Sequence, residues 1–469
     1  MGIANLFKNP DIKNIHFIGI GGISMSGLAK ILISQGYTIS GSDIKSSVLT
    51  KELESLGIKF NVGHSPDNIE NPDLVVYTSA IKEDNPEYVK AKSLCIPTIC
   101  RATLLGEIMG SYPYSIAISG SHGKTTTTSM VSAIMINAGK DPTIHIGGEL
   151  SLIGGNTKIG NGDYFIAEAC EYMENFLKFK PYTAVILNIE PDHLDYFRDI
   201  EHIKSAFLNF ALQIPLNGHL IACADDNNVC SLLDKIHCNK HTFGIKNTSA
   251  DWVATNIRFN AANCTSFDVY AKRNFWGSVK LSVPGEHNIY NALSALVSCS
   301  IAGIEKTYIC DALNSFCGPH RRFEYKGIKD GITVIDDYAH HPSEIKATLS
   351  AIKSAMDSNI WCVFQPHTYT RTLALLDEFS KSFTLSNHVI ITDIYAAREK
   401  DTGKIHSSTL AHKISEEGTH CIYIKSFSDI VDYLKCNVQK GDVILTMGAG
   451  DIYNVGEMFL KQSSPCYSD

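Results

Sequence analysis

Short β-rich apolar runs alternate with segments of helical period almost from one end of the chain to the other, and this alternation limits the fold more than any other feature. Strands separated by helices must connect by crossovers, which build mainly parallel sheets, so an α/β fold is predicted. In a first block HFIGI, TIS, KFN, LVVYTSA and IPTIC read as strands, with helices starting near Ser24, Ser46 and Pro86. A hinge, SYPY, from Tyr112 to Tyr114 leads to a second block. There SIAIS, YFIAEA and TAVILN read as strands, PGEHNIYNALSALVSCSIAG as an amphipathic helix, and CGPHRR as the exit. A third block alternates ITVIDDYA, IWCVFQP, HVIITDIY, CIYIK and DVILTMGAG with helices starting near Pro342, Leu373, Ser407, Ser428 and Asp451. With 469 residues the chain is too long for one core. The blocks are therefore expected to be domains at 1–111, 112–318 and 319–469, with the polar end KQSSPCYSD frayed.

A formal net charge of −8 gives no general pull toward nucleic acid or an anionic membrane, so an anionic substrate must be met by local basic residues. The apolar stretches break well short of a membrane span, and the start lacks the basic, apolar and cleavage pattern of an export signal. A cytoplasmic protein is expected. None of the fourteen cysteines forms a C-x-x-C pair and several lie in apolar strands, as in IACAD and WCVF, which points to reduced, buried thiols.

SIAISGSHGKTTTTSM places a strand, a glycine loop and a helix in the order that a phosphate cradle needs. The loop is Gly120, Ser121, His122, Gly123, Lys124, Thr125 and Thr126. Its glycines let backbone N–H groups close on phosphate oxygens and the helix start offers its positive end; Lys124 reaches the outer phosphates and Thr125 can hold magnesium. The residue six before Lys124 is Ile118, so the loop is the shorter G-S-H-G-K-T form rather than G-x-x-x-x-G-K-[ST]. Four consecutive threonines are poor helix openers, which argues against a chance surface turn. ATP and magnesium are the expected cofactors.

Glu168 in FIAEACEYMENFL and Asp192, His193 and Asp195 in VILNIEPDHLDYF fall at or just past strand ends, where open parallel sheets gather ligands. Glu168 is the better magnesium ligand, since that ion prefers oxygen; His193 is an unusual one. The bland reading of each is a capping or salt-bridged surface residue. At the N-terminus HFIGIGGISMSGLAKILISQGYTISGSD sets Gly19, Gly21 and Gly22 after a strand, Ile23 and Ser24 at a helix start, and Asp43 at the end of a second strand. This indicates diphosphate affinity and leaves NAD, FAD and a sugar nucleotide open; the plain alternative is a turn packing a helix on a strand.

With SGSHGKTTTTSM, NIEPDHLDYF, PGEHNIYNALSA, PHRRFEYKG, DDYAHHPSEIKATL and FQPHTYTRT in this order, nearly the whole chain resembles the Mur ligases, and within them those that join L-alanine to UDP-N-acetylmuramate. The resemblance implies a Rossmann-like first domain for the UDP-sugar, a central P-loop ATPase-type domain, and a Rossmann-like third domain bringing in the amino acid, with closure assembling the site. The muramoyl carboxylate attacks the γ-phosphate of ATP, and the amine of L-alanine displaces phosphate from the resulting acyl phosphate. Lys124 with magnesium on Thr125 and Glu168 would neutralise charge, and His193 would hold a second magnesium. His287, Asn288 and Asn291 match positions that meet adenine, and Arg322 and Asp337 positions associated with phosphate and ribose. Gly19, Gly21, Gly22, Ile23, Ser24 and Asp43 would face the UDP-sugar. Tyr338, His340 and Arg371 match substrate-facing positions, with Arg371 a clamp for carboxylate or phosphate and His340 a candidate for positioning or deprotonating the amine. Read alone, His340 and His341 before Pro342 are equally a helix-start turn. The chain has Thr368 where the family pattern QPHRYTRT has arginine, and EACEYM where it has EADESD. A monomer or homodimer is expected, with no nucleic-acid or membrane partner. Three alternatives stay open: a ligase joining a preformed peptide to the same sugar, an NAD-dependent oxidoreductase built on the first glycine turn, and a nucleotide-binding regulator without chemistry.

Overall fold

A computed structural model describes residues 11–194, 196–259, 265–356, 358–397 and 399–461. Asp195 and all but the first residue of the KQSSPCYSD end lie outside them. The chain divides into two compact units, one of 1–190, 200–253 and 292–312, the other of 191–199, 254–291 and 313–469.

The first unit holds two sheets. Strands β1 (Asn14–Ile18), β2 (Thr38–Asp43), β3 (Lys59–Val62), β4 (Leu74–Tyr77) and β5 (Thr98–Cys100) form a parallel sheet in the order β3-β2-β1-β4-β5, the doubly wound arrangement. Helices Ile23–Ser34, Val48–Ser55 and Pro86–Ser93 start where the sequence predicts; Arg101–Gly110 is a further helix after β5 that it did not single out. The second sheet contains β6 (Tyr114–Ser119), β7 (Thr143–Leu150), β8 (Gly155–Lys158), β9 (Tyr164–Glu168), β10 (Thr183–Ile186), β11 (His219–Cys223) and β12 (Asn239–Gly244), in the order β12-β11-β10-β6-β9-β7-β8. Only the β7–β8 pair among these is antiparallel, and Trp252 and Val253 at the start of β13 (Trp252–Phe259) pair with β12. Ser119, the last residue of β6, is flanked by Ile186 of β10 and leads straight into the glycine loop.

The helix Lys124–Asn137 follows, with Thr126 to Met135 all buried. Its hydroxyls bond back to carbonyls one turn earlier, Thr128 to Lys124 at 2.8 Å, Ser129 to Thr125 at 2.8 Å and Ser132 to Thr128 at 2.7 Å. A threonine-rich helix is thus tolerated in a core because its polar atoms are satisfied internally.

In the second unit β14 (Thr265–Ala271) and β15 (Asn274–Leu281) form an antiparallel hairpin. Its main sheet has β16 (Glu324–Lys329), β17 (Ile332–Asp337), β18 (Ile360–Phe364), β19 (His388–Ile391), β20 (His420–Tyr423) and β21 (Val443–Met447), ordered β16-β17-β21-β18-β19-β20. All neighbours are parallel except the edge strand β16. Alternation along the strands sends Ile335, Cys362, Phe364 and Leu445 to one core and Val334, Trp361, Val363 and Ile444 to the other, so both faces are covered. Every cysteine among the described residues is free, and no helix among them is long and apolar enough to cross a membrane.

Candidate functional site

In the first unit the loop after β6 turns on two glycines in left-handed backbone, Gly120 at φ 143° and Gly123 at φ 85°. A Cβ on Gly120 would lie 2.9 Å from the Leu187 side chain, so the loop rests on the chain leaving β10. That chain holds it: Asn188 accepts from the Ser121 amide through its carbonyl (3.1 Å) and from the His122 amide through Oδ1 (2.8 Å), while Ser121 Oγ accepts from the Glu190 amide (2.8 Å). His122 Nε2 stands 3.4 Å from a Glu190 carboxylate oxygen. No side chain caps the helix that Gly123 opens. Backbone donors and a positive helix end are what an anion needs.

Lys124 Nζ donates to the carbonyls of Gly120 (2.5 Å) and Ser121 (3.0 Å), and to both oxygens of Glu171 (3.2 and 3.0 Å). Glu171 is 2% exposed, so this ion pair is largely shielded from water. Glu168 ends β9, one register step from the loop strand through its Ile118 partner. Two glycines of β7 make room beside it: a Cβ on Gly147 would meet Glu168 Oε2 at 2.7 Å, and one on Gly148 would meet the Thr125 methyl at 3.1 Å. Thr125 and Glu168 therefore border one bare stretch of strand, and a hydroxyl with a carboxylate is the oxygen-rich donor set that magnesium takes.

The first glycine turn is held from within. Asp43 Oδ2 accepts from the Gly21 amide (2.8 Å) and Oδ1 from the Ile44 amide (2.7 Å); Gly19 has φ 83° and donates to the Ser42 carbonyl (2.8 Å). Gly22 and Ile23 open the helix Ile23–Ser34 without a side-chain cap. Ser24 Oγ accepts from Arg101 (3.0 Å) and lies 2.7 Å from His145 Nε2 on β7, whose Nδ1 meets Thr157 Oγ1 of β8 at 3.0 Å. Burial, and then the Arg101 charge, push the His145 imidazole down to about 3, so it is neutral. Gly27 fits because a Cβ there would strike Thr157.

In the second unit His193, in left-handed backbone at φ 54°, follows the buried Asp192. Arg371 Nη2 donates to Asp192 Oδ1 (3.0 Å), and Arg371 Nη1 stands 3.3 Å from His367 Nδ1. Burial opposes the Asp192 charge, but His193, Arg371, His340 and His341 hold its carboxyl well below the ordinary range. One cluster thus contains His193, His340 and Arg371.

His340 donates from Nδ1 to the Tyr338 carbonyl (3.0 Å), which leaves Nε2 as its basic nitrogen. Burial lowers it to about 3, so it is neutral but a weak base, better suited to accepting a hydrogen bond from an amine than to removing a proton. His341 caps the helix Pro342–Ala355 instead, its side chain accepting from the Ser343 amide while Glu344 reaches back. Arg322 lies 3.7 Å from Glu344 and 5.2 Å over the Tyr338 ring. Neighbouring Arg321 is committed to structure through Asp336 and the carbonyls of Gly448 and Gly450. Asp337 accepts from the amides of Phe323 (2.8 Å) and Ala339 (2.7 Å), and burial raises it to about 6. His287, lowered to about 4 by burial and by Arg322, sits at the start of the helix Glu286–Ile301. Asn288 Nδ2 donates to the Pro284 carbonyl (2.6 Å) and Asn291 Nδ2 to Asn288 Oδ1 (3.1 Å), so these amides are already linked to one another. Thr368 sits at φ 66°, a conformation costly for a β-branched residue, with its amide on the Tyr395 carbonyl (2.9 Å).

Reading the sequence missed Glu171, Asn188, His145 and His367 as site residues. NIEPDH, QPH and EACEYM carried Asn188, His367 and Glu171 as letters; nothing local marks His145.

Three family models match in succession: "Mur ligase family, catalytic domain" over residues 14–113, "Mur ligase middle domain" over 118–299, and "Mur ligase, glutamate ligase domain" over 321–450. The chain is 61% identical over 449 residues to a UDP-N-acetylmuramate–L-alanine ligase of Acetivibrio thermocellus, covering 96% of each chain. Its identity to the ligase of the same name from Caldanaerobacter subterraneus is 53%, over 96% of this chain and 98% of that one. Among solved structures it resembles the UDP-N-acetylmuramate-alanine ligase of Thermotoga maritima (TM-score 0.79, 31% identity, 96% and 98% coverage). It also resembles a murein peptide ligase of Psychrobacter arcticus (TM-score 0.68, 27% identity, 96% and 98% coverage). With a glycine loop opening a helix in one unit, a cluster around Arg371 in the other, and three domain models matched in succession, the chain belongs to the Mur ligase family.

Proposed function

We propose that the chain joins L-alanine to UDP-N-acetylmuramate with cleavage of ATP to ADP and phosphate, an amide-forming step of peptidoglycan precursor synthesis in the cytoplasm. The observation that carries this reading is the Gly120–Thr126 loop, with Lys124 at its rim and Thr125 beside Glu168 at the glycine stretch of β7. High identity to ligases of that name, over almost the full length of both partners, supports the substrate pair. The three domain models support a division of labour in which 1–111 takes the UDP-sugar, 112–318 the nucleotide and 319–469 the amino acid.

Lys124 neutralises charge on the outer phosphates while the loop amides orient them, and this positioning is most of what phosphoryl transfer asks of a protein. Thr125 and Glu168 would hold magnesium, with His193 a ligand of a second ion; the metal supplies charge neutralisation as phosphate moves. Gly19, Gly21, Gly22, Ile23, Ser24 and Asp43 form the turn for the UDP diphosphate. His287, Asn288 and Asn291 face adenine, and Arg322 and Asp337 serve phosphate and ribose. Arg371 clamps an anionic oxygen of substrate, and Tyr338 and His340 orient the incoming amine. The muramoyl carboxylate attacks the γ-phosphorus and ADP leaves with the bonding pair; the amine then attacks the carbonyl carbon of this acyl phosphate, phosphate leaves with the bonding pair, and the proton the nitrogen sheds goes to the departing phosphate.

Phosphate release tests this directly. It should require ATP, magnesium, UDP-N-acetylmuramate and L-alanine together, with alanine recovered in the UDP-sugar product. Turnover with a preformed peptide but not L-alanine would move the chain to the recycling type of ligase, and ATP binding without turnover would reject the enzyme. Lys124→Ala should abolish phosphate release while UDP-sugar affinity stays within about twofold, because the two ligands use different residues.

A further inference from the structure

Lys124 has three N–H donors, and the Gly120 carbonyl, the Ser121 carbonyl and the Glu171 carboxylate accept from them. The two carbonyls belong to the loop and stay with it; of these three acceptors Glu171 carries charge. It lies outside the loop, three residues past the end of β9, and the chain there is unusually fixed. Met173 and Glu174 both adopt left-handed backbone, φ 53° and 54°, and the Glu174 amide closes on the Glu171 carbonyl at 2.8 Å. Consecutive non-glycine residues in that region are costly and persist only where the surroundings impose them. The turn therefore holds a buried carboxylate, 2% exposed, at hydrogen-bond distance from the amine expected to meet phosphate.

We infer that Glu171 sets nucleotide affinity by competing with phosphate for Lys124, as a positioning residue acting through that lysine. This rests on the nucleotide reading of the loop. An ammonium in contact with a carboxylate has much of its field cancelled, and an arriving phosphate meets that negative charge as well as the positive one. Nucleotide binding must move the Lys124 donors from Glu171 to phosphate oxygens. The pairing holds the lysine within the loop; the exchange lowers affinity, which favours product release.

Glu171→Gln keeps the shape and removes the charge. MgADP should then bind about tenfold more tightly by titration calorimetry, the scale of one charge-assisted hydrogen bond. The KM for ATP should fall with it while kcat does not rise. The variant alone should melt below the unaltered chain, and saturating MgADP should close that gap, which a purely structural role for Glu171 would leave open. On a Lys124→Met background the same change should leave MgADP affinity within about twofold, since there is no amine to compete for. Unchanged or weaker MgADP binding by Glu171→Gln, or an equal gain without the lysine, overturns the inference. If that variant does not fold, a structure of the unaltered chain with MgADP decides: Nζ shifted from Glu171 to phosphate supports it, and Nζ still on both carboxylate oxygens overturns it. Failure of the unaltered chain to bind MgADP would overturn the nucleotide reading and this inference together; binding with no effect of Glu171 overturns this inference alone.

Discussion

Arg371 keeps company with an acid rather than facing outward alone: Asp192 takes one arm of its guanidinium and His367 stands by the other. Removing the side chain takes away the clamp proposed for substrate and leaves Asp192 buried without that partner. Arg371→Ala should lower kcat/KM for phosphate release by about 100-fold, the worth of a two-pronged charge-assisted contact, with MgADP affinity unchanged. Wild-type kinetics would remove Arg371 from the site. Asp192→Asn on the unaltered arginine separates the two roles, since it weakens the hold on Arg371 without deleting the clamp. At this scale a sequence gives identities but not partners. His340 and His341 look alike as letters before Pro342, yet one caps a helix and the other sits beside Arg371 and Asp192. Glu171 was legible as an acidic letter in EACEYM, and only the fold brings it to Lys124.

The strand, loop and helix around Lys124 were legible because they are local: an apolar run, glycines at two turns and a helix start follow one another in the chain. The other side of the same cradle is not local. It comes from β7, which reaches Glu168 by pairing with β9, and its Gly147 and Gly148 have no motif around them to mark them. Gly147→Ala would place a methyl where Glu168 Oε2 now lies, and the carboxylate has to turn away. Because the substitution adds no charge and leaves Lys124 untouched, the expected effect is on magnesium. The concentration giving half-maximal phosphate release should rise by about tenfold, with the KM for L-alanine unchanged. An unchanged magnesium requirement would separate Glu168 from the ion.

Over the whole chain, period and alternation read out the first and third sheets and the centre of the second, where apolar runs mark strands; the parallel β7 and β12 of the second sheet and the antiparallel edge strand β16, with its mixed EYKGIK, were not singled out. What no pattern revealed is how many imidazoles the fold buries without charge. Burial holds His145 and His340 at about 3 and His287 and His367 at about 4, against an ordinary value near 6.5. An unfolded chain binds protons at these four positions as pH drops through that ordinary value, and the native chain does not. Their contribution to stability is therefore complete above about pH 6.5 and is lost progressively below it. Asp337, raised to about 6, works the other way, because the native carboxyl takes up its proton before the unfolded one does. Four sites against one make unfolding a proton-consuming process between about pH 4 and 6. Calorimetry should show the melting temperature falling by several degrees from about pH 7.5 to about pH 5, and His145→Gln should flatten that fall by removing one of the four. A melting temperature that rises on acidification would mean that these histidines are charged in the folded chain, and the neutral Nε2 assigned to His340 would go with them.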